Sequence, residues 1–182
     1  TQSRSSAASD VYKRQMNIVF KMDLPCSKLV VANAQLGVAA YIHQAHENTD
    51  KMDENAVLQF ADLVMGITDR IHDAAEEGDF MLEVTEDELL HLMCAVRCAF
   101  EMFISAKKDT LKEIISVVTD EMGGGTTMIG NRRRLAHASH IILDFFECHA
   151  PITLYDAWIN ERRVASKDML DHLASCINTE DD

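Results

Sequence analysis

Residues 54–77, ENAVLQFADLVMGITDRIHDAAEE, separate into two faces of one helix. Val57, Phe60, Ala61, Val64, Ile67, Ile71, Ala74 and Ala75 recur at helical spacing and form an apolar stripe. Asn55, Gln59, Asp62, Gly66, Asp69, Asp73 and Glu76 form a continuous polar stripe on the other side, and Gly78 stands where a helix would terminate. A helix of this kind is stable only when its apolar side is covered, so the rest of the chain must supply partner helices.

It does so on both sides. Toward the N-terminus, Asn17–Leu24 alternates as a short strand. Pro25 ends that run, and Ser27 is placed to cap a helix continuing to about His46. Ala32, Ala34, Gly37, Ala39 and Ala40 make this helix unusually small-sided. Val30, Val38, Tyr41 and Ile42 supply its larger apolar contacts, which predicts a central position where another backbone approaches closely. Toward the C-terminus, Phe80–Val84 reads as a second strand. Thr85 and Glu88 then form a capping box for a helix with Leu89, Leu92, Met93, Val96, Ala99, Phe100 and Phe103 around most of its circumference, a pattern that predicts burial.

The apolar pattern lapses at Lys107–Asp109 and resumes at Leu111, Ile114, Ile115, Val118 and Met122, predicting a break. Gly123–Gly125 interrupts again. Asn131 then caps a helix carrying Leu135, Ala138, Ile141, Ile142, Phe145 and Phe146, which stops before Pro151. Thr153–Trp158 and Ser166–Ile177 complete the chain as two short helices. The fold class expected is all-α, a single bundle of five to seven helices over residues 16–178, with a small two-stranded β ribbon pairing about 17–23 with 80–84. Thr1–Gln15 reads as a non-native, disordered leader and residues 179–182 as an acidic tail.

Only two prolines and seven glycines punctuate 182 residues, of which 47% are hydrophobic, so one substantial core is expected. The formal net charge is −13, with 17 basic and 30 acidic side chains. The leader holds three of the basic groups and one of the acidic ones, so the domain itself is more acidic still. Such a surface repels phosphate backbones and anionic lipid, which makes nucleic acid and membrane unexpected partners. Five scattered cysteines without CxxC spacing, and the lack of a span of about 20 apolar residues, point to a cytoplasmic protein with reduced thiols.

Two arrangements could carry metal chemistry. His72-Asp73-Ala74-Ala75-Glu76 resembles the HDxxE signature of HD-type phosphohydrolases. The resemblance implies His72 and Asp73 on a divalent metal, Glu76 assisting water attack, an upstream ligand at His43 or His46 and a distal one at Asp144. In a simple hairpin, however, His43 and His72 lie roughly 25 Å apart. The second arrangement uses Asp69 with His72 and Glu88 with His91, the D/ExxH spacing of di-metal carboxylate bundles. His137 and His140 open a helix expected to start at the same end, so these ligands agree in level. In azimuth they do not, because His91 aligns with Cys94, Cys98, Glu101 and Ser105 outside the main apolar stripe and His140 with Asp144 and Glu147, which makes most of them boundary or surface residues.

Cys94 and Cys98, four residues apart near His91, read as small hydrophobes, and Cys148 beside His149 lacks a third catalytic partner. The glycine loop followed by Arg132, Arg133 and Arg134 is the one basic, glycine-rich segment, suited to holding an anion or to recognising a partner. Tyr155 and Trp158 are the aromatic residues suited to anchoring a partner. The function expected is therefore a non-enzymatic helical interaction protein, with no cofactor, acting through a protein partner or homo-oligomerisation. The alternative is the metal-dependent HD-like phosphohydrolase.

Overall fold

A computed structural model of the chain describes residues 17–47, 53–76, 80–122 and 132–151. The elements run β1 (Ile18–Met22), α1 (Leu24–Glu47), α2 (Glu54–Glu76), β2 (Phe80–Val84), α3 (Glu86–Ser105), α4 (Lys108–Met122) and α5 (Arg132–His149). This is the all-α bundle with a small ribbon, with five helices among the described residues. The leader, the glycine loop, Asn131, both C-terminal helices with Tyr155 and Trp158, and the acidic tail lie outside the described residues.

β1 and β2 pair antiparallel, with Ile18 opposite Val84, Phe20 opposite Leu82 and Met22 opposite Phe80. The two-residue period sorts their side chains: Phe20, Met22, Leu82 and Val84 are buried, while Val19, Lys21, Met81 and Glu83 face outward. Phe20 locks the ribbon to the bundle, its ring lying 5.7 Å from Phe145 and 5.4 Å from Phe146.

The start of α1 departs from the expected Ser27 cap. Asp23 caps instead, its Oδ1 accepting from the Cys26 amide at 2.8 Å while its carbonyl accepts from the Ser27 amide at 3.0 Å. Pro25 thus sits inside the first turn, where a missing N–H removes no intrahelical bond. Ser27 is buried and donates its hydroxyl to the Asp23 carbonyl at 2.7 Å. With β1 ending at Met22, a single residue links strand to helix.

Among the described residues α1 packs against each of the other four helices, the central position its small residues predict. At Gly37 the contact is closest. A Cβ placed there would lie 1.7 Å from the Ala95 carbonyl oxygen, so α1 and α3 cross almost backbone to backbone. The capping box of α3 is present in full, with Thr85 Oγ1 accepting from the Glu88 amide at 3.1 Å and Glu88 Oε2 accepting from the Thr85 amide at 2.9 Å. The break between α3 and α4 falls at Ala106–Lys107.

α5 is rotated from its expected face. Ile141 is 54% exposed, whereas Ala136, Ser139, Ile142, Leu143 and Phe146 face inward together with Glu147. A polar contact sets this rotation: the Ser139 hydroxyl donates to Asn33 Oδ1 on α1, and Asn33 Nδ2 donates to the Leu29 carbonyl at 2.9 Å. Hydrogen bonding removes the penalty of burying that pair, so a serine occupies the seam where an aliphatic residue was expected.

Among the described residues, two clusters of buried side chains result. One joins the ribbon to α1, α2, α3 and α5 around Phe20, Val64, Ile71, Leu92 and Phe146. The other lies between α1, α3, α4 and the start of α5, around Leu36, Phe103, Leu111, Ile115 and Ala136. Among the described residues, no helix is long and apolar enough to cross a membrane.

Candidate interaction surface

The polar stripe of α2 faces solvent, with Asp69, His72 and Asp73 all exposed on it. The backbone of Glu76 lies in the last turn of α2, and its side chain lies outside the described residues. Glu88 is committed elsewhere: Oε1 accepts from Arg70 Nη2 at 2.8 Å and Oε2 completes the capping box. His91 packs its ring 5.9 Å from Phe60 and places Nδ1 2.7 Å from the Asp87 carbonyl.

His137 and His140 do not start at the His91 end of the bundle, contrary to expectation. α5 begins beside the last turn of α3, where Arg132 donates to the carbonyls of Phe103 and Ile104, the latter at 2.8 Å. His140 accordingly sits 5.9 Å from Phe100, nine residues along α3 from His91 and so about 13 Å farther down its axis. The cause is electrostatic as well as topological. The last carbonyls of a helix lack intrahelical donors and carry the negative end of its dipole, so a guanidinium anchors there. Upstream, His43 lies 3.8 Å from Glu113 on α4, and Asp144 lies 3.4 Å from His140. Among the described residues, no three His, Cys, Asp or Glu side chains are grouped so as to hold a metal ion.

Of the three arginines proposed as a binding cluster, Arg132 is therefore a cap for α3, while Arg133 and Arg134 are exposed. Nothing in the local sequence pattern around Arg132 signals that role, because its acceptors lie 28 and 29 residues earlier.

A groove of about 370 Å³ opens where the C-terminal ends of α1 and α3 meet the start of α4. Ala40, Met102 and Ile114 line it together with His43, Glu47, Cys98, Glu101 and Lys107. Burial, reinforced by the charge of Glu101, pushes the Cys98 thiol up to about 12 from an ordinary 9.0. Cys98 is thus held as a neutral thiol at physiological pH, which agrees with its reading as a small hydrophobe. A thiol reagent at mildly alkaline pH is expected to label exposed Cys148 well before Cys98, as peptide mapping would record. The folded-state value lies above the ordinary one, so the contribution of Cys98 to stability is complete below pH 9 and is lost as pH rises toward 12. Cys98→Ala should flatten the fall in melting temperature across that interval relative to wild type. Equal slopes would show that Cys98 does not titrate there.

The outward side of the ribbon is the feature that residue-by-residue reading missed. Val19 is 44% and Met81 65% exposed, side by side with Lys21 and Glu83 on a two-stranded sheet. The strand period alone assigns Val19 and Met81 to one face, but only the pairing register makes them neighbours.

Comparison with known proteins finds no matching family, no matching characterised protein and no matching solved structure.

Proposed function

We propose that this is a non-enzymatic helical interaction protein that acts by binding a protein partner or by assembling with itself. The observation that carries the reading is the ribbon's outer face, where Val19 and Met81 present apolar side chains to solvent on a sheet that has two strands among the described residues. Sheet edges carry backbone donors and acceptors that pair readily with another strand, and adjoining apolar side chains add specificity to such pairing. The acidic character of the chain complements this, since it discourages adhesion to nucleic acid and anionic lipid while leaving a local apolar patch for protein.

The test compares wild type with a Val19→Glu/Met81→Glu double variant, whose substituted positions are exposed and so should leave the fold intact. Sedimentation velocity and quantitative capture from a native-host lysate should both show an association that the double variant loses. A wild-type chain that stays monomeric and retains the same proteins as the double variant would sink the proposal.

A further inference from the structure

We infer that the occupant of the ribbon is a second copy of this chain, seated antiparallel along the outer edge of β1 so that two ribbons join into one four-stranded sheet about a two-fold axis. This rests on the reading of the ribbon as a protein-binding surface and narrows it to self-association.

The edge follows from the sheet itself. Among the described residues the sheet has two strands, so β1 and β2 each have one outer edge. The edge of β2 is partly taken, because the Glu83 carbonyl accepts from Arg70 Nη1 of α2 at 3.4 Å. Along β1, no second strand is paired among the described residues. Among the described residues, that edge is the one open to strand addition.

Charge then selects the occupant. On a chain of net charge −13, most surfaces repel a second copy. The outward ribbon face instead carries one lysine, Lys21, and one glutamate, Glu83, so it is locally balanced. A basic peptide strand laid on β1 would meet Lys21, whereas a second copy meets its complement. A lysine on an edge strand ordinarily discourages pairing by confronting a like charge. An antiparallel two-fold centred on Phe20 avoids that, because it sets Lys21 of one copy opposite Val19 of the other. Lys21 then lies in the row that Val19 shares with Glu83, two strand spacings or about 10 Å from it. Extended lysine and glutamate side chains span that distance together over the Val19 side chain. Asn17 Nδ2 holds Glu83 Oε1 at 2.6 Å, which fixes the carboxylate on this face. The two-fold repeats the pair, so each dimer contains two such contacts. Five-residue strands bury little area, so the dimer is a reversible one.

Sedimentation velocity on the full chain over a wide concentration range tests this with Lys21→Glu and Glu83→Lys, with circular dichroism confirming that each variant is folded. Wild type should form a reversible dimer. Each single variant should weaken it about tenfold or more, the effect expected for a close charge pair. An equimolar mixture of the two variants should recover dimer as a heterodimer, because each copy then meets its opposite charge. A monomeric wild type, variants that dimerise as wild type does, or a mixture that fails to recover would each overturn the inference. If wild type is monomeric but captures a host protein that Val19→Glu/Met81→Glu loses, self-pairing is rejected while the broader interaction reading stands. Loss of both rejects the two together.

Discussion

Gly37→Ala is expected to destabilise this protein by about 3 kcal/mol, whereas the same substitution at Gly66 should stabilise it by about 0.5–1 kcal/mol. At Gly37 the added methyl would sit 1.7 Å from the Ala95 carbonyl oxygen and 2.5 Å from its carbon. The obstacle is backbone, so no side-chain rotation relieves it, and α1 and α3 must separate along their shared seam. That seam includes Val30, Ala34 and Val38 on one side and Leu92 and Val96 on the other, all buried, so separation also loosens well-packed contacts. At Gly66 nothing lies within 4 Å of the added methyl, and only the higher helix propensity of alanine is felt. Urea denaturation of the two variants beside wild type measures both effects. A Gly37→Ala midpoint at or above wild type would show that the two helices do not cross at this contact.

Phe20→Ala should cost about 3–5 kcal/mol, the range for emptying a large buried aromatic site. Phe20 is fully buried, and its ring meets three others: Phe145, Phe146 and, at 5.2 Å, His149. Those three belong to α5, so one side chain carries much of the adhesion between ribbon and bundle. Val19→Ala, one residue earlier on the outward face, should change stability by less than about 0.5 kcal/mol. Hydrogen exchange adds a local readout, because the amides of Phe80–Val84 should lose protection in Phe20→Ala before those of α3 do. Similar small effects at both positions would mean that the ribbon is not held by its inner face.

These two sites also show how far the sequence could be read. The apolar spacing of residues 54–77 and the Thr85–Glu88 box predict α2 and α3 because helix period and capping are local properties. The alternating segments at 17–24 and 80–84 predict the ribbon because a strand's period is local too. Where expectation and structure part, a distant partner intervenes. Asp23 displaces Ser27 as the cap because β1 delivers the chain into α1 with no spare residue. Ser139 turns α5 away from its expected face because Asn33 waits on α1. Arg132 anchors α5 to the far end of α3 from His91, and so keeps His137 and His140 from joining the histidines near the ribbon.

The sequence by itself determined the five described helices, the apolar faces of α2 and α3, the acidic balance of charge and the existence of a ribbon, since each depends on composition or on residues a few positions apart. The tertiary structure alone decided which backbone Gly37 touches, which carbonyls Arg132 caps and that Val19 and Met81 lie on one exposed face of the ribbon. Those outcomes depend on contacts between residues tens of positions apart, whose geometry exists only once the helices have packed.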